Sequence, residues 1–308
     1  MGRALEVRKA AAVDRLRFVL LGLVVAGLGC GPKATPPGPK TYRDSLSVCW
    51  HDLSCKRAFL ISHQGDWNTQ PVLPFDSMAA FQRAYANGAD GIKADFRVTR
   101  DGVPVVAHSS PIEPWESTDC FGDKIEDMTA AQVTACHLMG SATETFQKVG
   151  DVLDWARGKL TVMLTVKDQN YATAIATILA HQAQDFAFIE VRLGDLQSIA
   201  EKAPNHDQVW FNAELHDESE VSALLELHDR RVMMVELDNY DSSTVTQTID
   251  SEVHPAGLRA FVMGNGQTSE TQQEALFDLG FDVVMTYDLP NGVLARKKVN
   301  QARGITPP

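Results

Sequence analysis

From about residue 57 onward the chain alternates short apolar runs with segments of helical period, and this alternation is what most limits its fold. The strand candidates are 58–62, 91–96, 104–107, 160–166, 186–191, 208–213, 232–237, 258–263 and 283–286. Helical period is carried by 75–87, 130–138, 145–157, 171–184, 196–202, 218–228, 268–279 and 290–301. The apolar runs are nearly continuous, as in strands buried on both faces. Strands alternating with helices over roughly 240 residues predict an α/β chain folded as a (β/α)8 TIM barrel. Nine candidates compete for eight places, so one run lies outside the barrel. Periodicity does not say which.

Within this frame the stretch 59–108 concentrates the chemistry. His63 and His108 end two apolar runs, and Lys93 and Asp95 stand two apart on a third. Residues two apart on a strand face the same side. In a TIM barrel, strand ends of this kind meet at the C-terminal mouth, where such folds place their reactions. His63, Lys93, Asp95 and His108 are therefore expected to converge there. Residues 109–144 carry few strand signals and read as an insertion over the mouth.

The N-terminal 29 residues do not read as fold. Arg3, Arg8, Lys9, Arg15 and Arg17 precede an 11-residue apolar stretch, 18–28, which is short for a membrane span. Gly29-Cys30 follows, and the arrangement resembles the lipobox of bacterial lipoproteins, in which the cysteine is lipidated. The lipobox leucine is displaced here, since Gly27 stands three before the cysteine. Ordinary cleaved secretion and an uncleaved anchor are the alternatives. Residues 30–48 include a Pro-rich tether, the segment 49–303 is the domain, and 304–308 is a tail. The expected setting is export and membrane attachment through an N-terminal lipid on Cys30, in a bacterial cell envelope. The remaining cysteines, Cys49, Cys55, Cys120 and Cys136, are even in number. Local pairing, Cys49–Cys55 and Cys120–Cys136, is expected in an oxidising compartment. Their spacing fits no usual zinc pattern. A net charge of −12 with no basic stripe argues against nucleic acid as a partner.

Three segments carry a family resemblance. The chain reads His63-Gln64-Gly65, then PFDSMAAF at 74–81, GADGIKAD at 88–95 and TRDGVPVVAH at 99–108. Further on come Leu164-Thr165-Val166-Lys167 and Thr286-Tyr287-Asp288-Leu289-Pro290. These resemble the H-R-G, P-E-N-T-L-A-A-F, G-A-D-x-I-E-x-D, T-K-D-G-x-x-V-x-x-H-D, I-E-I-K and T-D-x-P motifs of the glycerophosphodiester phosphodiesterases. The resemblance is specific in spacing over 60–108 and moderate in the two later segments. It implies a TIM barrel that cleaves phosphodiesters, with His63 and His108 as the acid/base pair. It also implies Lys167 as a phosphate contact and Gln64 in the place of a phosphate-binding arginine. Family members hold calcium or magnesium with the E-x-D pair and a later glutamate.

The departures bear on that metal. Lys93 replaces the first ligand glutamate, Thr165 the later one, and Asp95 alone remains. Phe75 replaces the glutamate of P-E-N-T, and Ser109 the aspartate after the second histidine. One carboxylate beside an ammonium does not give a hard dication the oxygen ligands it requires, so no metal cofactor is expected. Two readings follow. In one, Lys93 substitutes for the metal, and the His63/His108 pair cleaves a phosphodiester small molecule or lipid head group, by hydrolysis or by cyclisation. In the other, catalysis is lost and the barrel binds a ligand or partner. Glu190 and Arg192, Glu214 and His216, and Glu236 and Asp238 end later runs and read as a polar rim, with Glu214 and Glu236 the better functional candidates. A carboxylate site of glycosidase type is a third reading. Asp66 is a candidate to orient His63, and Trp67 and Trp115 are expected to pack beneath the insertion.

Overall fold

The structure, a computed structural model, describes residues 49–305 apart from 51, 53 and 230. Cys30, the expected signal segment 1–29 and the tether up to residue 48 lie outside the described residues, as do 306–308.

The strands are β1 (Phe59–His63), β2 (Gly91–Val98), β3 (Pro104–Val106), β4 (Gln147–Lys148), β5 (Thr161–Val166), β6 (Ala187–Arg192), β7 (Trp210–Leu215), β8 (Val232–Leu237), β9 (Arg259–Met263) and β10 (Val283–Thr286). Eight of them close a parallel barrel in the order β1-β2-β5-β6-β7-β8-β9-β10, with β10 returning to β1. The surplus candidate of the sequence, 104–107, now β3, is the run that stays outside. It folds back antiparallel on the end of β2, pairing Phe96 with Val106 and Val98 with Pro104. The short β4 adds to its other edge. Asp101-Gly102 makes the turn, with Gly102 at φ +78°.

Alternation along the strands divides the core. Leu60, Ile92, Ala94, Phe96, Val162 and Leu164 pack outward under the helices. Phe59, Ile61, Met163, Phe188 and Phe261 fill the lower barrel. Trp50 closes this end, 5.0 Å from Phe59 and 5.4 Å from Phe188 between ring centroids. The fully buried guanidinium of Arg259 holds this N-terminal segment through the carbonyls of Trp50 (3.3 Å) and Asp52 (2.8 Å).

The helices are α1 (Met78–Ala86), α2 (Ala130–Val133), α3 (Val149–Ala156), α4 (Tyr171–Ala180), α5 (Leu193–Lys202), α6 (Val221–Glu226), α7 (Val245–Thr248), α8 (Glu270–Asp278) and α9 (Leu289–Ala302). Several are shorter than their periodicity. Helix α1 starts at Met78, because Asp76 takes φ +54° and Ser77 caps the amide of Ala80. Helix α2 covers four residues of the expected 130–138. The chain must leave it for Cys136 to bond Cys120 and for His137 to pair with Thr145. The expected helix at 145–157 begins only at Val149, since Gln147 and Lys148 belong to the sheet. The segment 218–228 splits into a 3-10 turn, Glu218–Glu220, and α6. Helix α7, which runs on into a π-turn at Ile249–Val253, lies outside the segments of helical period given above.

The insertion 109–144 has its own apolar cluster, with Ile112, Ile125, Val133 and Leu138 buried beside β3. Both local disulfides are present: Cys49–Cys55, with Cα atoms 5.4 Å apart, and Cys120–Cys136, 6.0 Å apart. No helix among the described residues is long and apolar enough to cross a membrane.

Candidate active site

The upper half of the barrel interior is polar where the lower half is apolar. On β1 the inward series Phe59, Ile61 ends in His63, and β2 beside it places Lys93 level with His63 and Asp95 one step higher. Thr165 on β5 and Glu190 on β6 continue the Asp95 level. Strand β2 outlasts its pairing with β1, and β3 returns along its free end. The amide of Ala107 then bonds the carbonyl of Asp95 (3.0 Å), which brings His108 back over the mouth. His63, Lys93, His108, Lys167, Glu190 and Glu236 line one cavity of about 350 Å³. A larger apolar hollow of about 720 Å³, between Trp50, Trp210 and Leu258, opens at the opposite end of the strands.

Asp95 is the centre of the charge network. It is fully buried. Its Oδ1 lies 2.6 Å from Lys93 Nζ and 3.2 Å from Lys167 Nζ. Its Oδ2 accepts a hydrogen bond from Gln64 Nε2 at 2.6 Å. Burial opposes ionisation of Asp95, but the two ammonium groups outweigh it and hold the carboxyl well below its ordinary range. Burial likewise opposes charge on Lys93, and here Asp95 and then Glu190 outweigh it, so Lys93 keeps its proton more firmly than a free lysine. Asp76, which stands where the family motif has asparagine, is buried against this group. Burial and the Asp95 charge push it well above the usual carboxylate range.

The two histidines differ in setting. His63 is 8% exposed, and its Nδ1 is buried without a hydrogen-bond partner. Its Nε2 lies 3.3 Å from Tyr287 Oη, and the rings stack with centroids 4.2 Å apart. Burial and the Lys93 ammonium press its pKa down to about 3. His108 is only half-buried, and burial and Lys167 lower it less. Its backbone is clamped from both sides. Glu116 accepts from the His108 amide (2.8 Å) and the Ser109 amide (3.1 Å), while Arg97 donates to the His108 carbonyl (2.9 Å). Local backbone geometry fixes the first loop. Gln64 takes φ +57° and Gly65 φ +83°, and a Cβ on Gly65 would come within 2.8 Å of the Ala80 backbone.

The opposite wall is acidic. Glu190, Glu214, Glu236 and Asp238 face the same cavity, whereas His216 does not line it. Burial, then Glu190, pushes Glu236 well up, and Asn212 Nδ2 donates to it at 2.6 Å. Burial raises Asp238 to about 6.

Some expectations are corrected. Asp66 does not orient His63; it accepts from Thr69 (2.6 Å) and Asn87 (2.6 Å) and pairs with Arg83. Trp115 is not packed away but is 46% exposed, with its ring against His108. Asp76, Glu116 and Tyr287 were not singled out from the sequence. Asp76 and Tyr287 stand inside motif segments and were legible there, while Glu116 lies in an insertion with no pattern.

A model of the glycerophosphoryl diester phosphodiesterase family matches residues 63–288. A glycerophosphodiester phosphodiesterase from Caldanaerobacter subterraneus is 32% identical over 77 residues, 25% of this chain and 29% of the relative. Glycerophosphodiester phosphodiesterase 1 of Bos taurus is 34% identical over 77 residues, 25% of this chain and 22% of the relative. The chain thus aligns with less than a third of the length of these curated relatives. The crystal structure of a glycerophosphoryl diester phosphodiesterase from Parabacteroides distasonis is similar with a TM-score of 0.70 at 19% identity, covering 84% of this chain and 92% of that one. An Oleispira antarctica phosphodiesterase in complex with the product sn-glycerol-3-phosphate gives 0.60 at 15% identity, covering 80% and 99%. At these identities the likeness is one of fold.

Proposed function

Because the chain belongs to the glycerophosphodiester phosphodiesterase family, we propose that it cleaves a phosphodiester with His63 and His108 as acid and base, and with the Lys93 ammonium where its relatives use a metal ion. The observation that carries this reading is the engagement of Asp95 by Lys93, Lys167 and Gln64. The family implies calcium or magnesium, and the donor set does not fit either. A hard dication takes six to eight oxygen ligands, several of them charged. Here the remaining E-x-D carboxylate is already paired with two ammonium groups, burial and the Asp95 charge oppose ionisation of Asp76, and Thr165 offers a hydroxyl in place of a carboxylate.

His63 is neutral and able to accept a proton from a hydroxyl beside the phosphorus, either on the substrate or on water. As the new P–O bond forms, the P–O bond to the leaving alcohol breaks, and His108 gives that oxygen its proton. Lys93 and Lys167 supply fixed positive charge to the phosphoryl oxygens, where charge develops. Attack by a substrate hydroxyl gives a cyclic product, and attack by water a monoester. The lipid-anchored setting through Cys30 stands as part of the same proposal and rests on the N-terminal sequence alone.

Binding without turnover is the second reading, favoured by the same closed Asp95 network, which leaves the cations already paired. Purified protein offered glycerophosphocholine and bis(p-nitrophenyl) phosphate distinguishes the two. Turnover is expected, falling at least a hundredfold in His63→Ala and His108→Ala. No turnover on either diester would leave only the binding reading.

A further inference from the structure

An aromatic row leads outward from His108 and has no part in the chemistry above. The Trp115 ring lies edge-on to His108, with centroids 5.2 Å apart. Phe75 lies 5.3 Å from Trp115, and Trp67 6.1 Å from Phe75. Phe75 occupies the position where the family motif carries glutamate, so a charged group of the mouth has become an apolar one. The row is open at its outer edge. Trp115 is 46% exposed, Val72 58% and Met139 47%. Backbone hydrogen bonds tie the flanking segments to the row, from the Leu73 amide to the Trp67 carbonyl (3.0 Å) and from the Met139 amide to the Glu116 carbonyl (2.7 Å). Large apolar side chains rimming a polar cavity mark a place where apolar matter is bound.

We infer that this shelf is a subsite for the hydrocarbon arm of a single-chain lipid phosphodiester, bound with its phosphate at Lys93 and Lys167. The inference rests on the proposed phosphodiester site and names its substrate class. Continuity decides the occupant. The shelf begins at the ring that would protonate the leaving alcohol, so what it holds is attached to the reacting phosphate. A bilayer surface would need an apolar face independent of the cavity. A fully deacylated diester would leave the shelf wet.

The test is binding of decylphosphocholine, a single-chain phosphodiester, below its micellar concentration. Glycerophosphocholine serves as the chainless control. Calorimetry on the His63→Ala variant separates binding from turnover. Decylphosphocholine is expected to bind at least tenfold more tightly than glycerophosphocholine, because contact with only about two methylenes suffices for that factor. Trp115→Ala and, one ring farther along the row, Phe75→Ser should each shrink the ratio between the two ligands. Equal affinity of both ligands overturns the subsite. So does a Trp115→Ala effect that is the same on both, which would make the ring only a support for His108. Trp115-dependent binding to phosphatidylcholine vesicles with no preference for the monomeric chain would make the shelf a bilayer contact and also overturn it. The two readings fail separately. Cleavage of glycerophosphocholine without a chain preference removes the subsite alone, and chain-dependent binding without cleavage of any diester removes the reaction alone.

Discussion

At the scale of single residues the proposed site turns on Lys93, which stands where the family motif has a glutamate. An ammonium 2.6 Å from a fully buried carboxylate holds Asp95 ionised, and burial together with that ammonium pushes protons off His63. This has a consequence for pH. The His63 pKa drops from its unfolded value near 6.5 to about 3, so between these values the unfolded chain binds a proton that the folded chain does not. Stability linked to His63 is therefore complete above pH 6.5 and is lost as the pH falls toward 3. The reaction follows the same order. In the proposed reaction His63 acts as the neutral base and His108 as the protonated acid, and both titrate below the ordinary histidine range. The pH profile of kcat/KM is expected to peak on the acid side of pH 6.5 and decline above it. Lys93→Gln should move the acid limb upward, since it removes the cation that lowers His63. A bell centred above pH 7, or a limb that ignores Lys93, would show that these histidines do not set the rate.

At the scale of elements, the insertion 109–144 does more than cover the mouth. Its Glu116 carboxylate is buried and accepts the amides on either side of the His108 peptide link, so the insertion holds the second histidine in place. Glu116→Ala leaves buried donors unmatched, a loss of about 1–3 kcal/mol. The expected outcome is a lower melting temperature and a larger fall in kcat than rise in KM, with Glu116→Gln recovering part of both. Unchanged kcat in a folded Glu116→Ala protein would reduce the insertion to a cover. The sequence marked where this segment begins and ends, and its four-residue α2 shows why it told no more. Periodicity at 130–138 is helical, but the disulfide to Cys120 and the pairing of His137 with Thr145 override it after Val133. In the same way Asp76 and Ser77 cut short the start of α1. Local pattern gives the kind of element, and tertiary ties fix its length.

At the scale of the whole molecule, the barrel was legible because eight buried parallel strands leave an uninterrupted apolar signature. The surplus run, β3, carries the same signature with opposite direction, and direction leaves no trace in a run of three residues. The convergence of His63, Lys93, Asp95 and His108 was readable from strand ends and two-residue alternation. The acidic far wall was readable only as residues that end strands, and the shelf at Trp115 was not, because exposure of an aromatic ring depends on neighbours far along the chain. The proposal for the mouth as a whole is that its fixed cations are side chains, Lys93 and Lys167. The direct measurement is steady-state cleavage of a phosphodiester by the purified protein in excess EDTA, repeated with saturating calcium and then magnesium. The expected result is the same kcat/KM in all three, with the melting temperature unmoved by either ion. Activity that vanishes in EDTA and returns with calcium, together with a calcium-dependent rise in melting temperature, would contradict the replacement of the metal by Lys93.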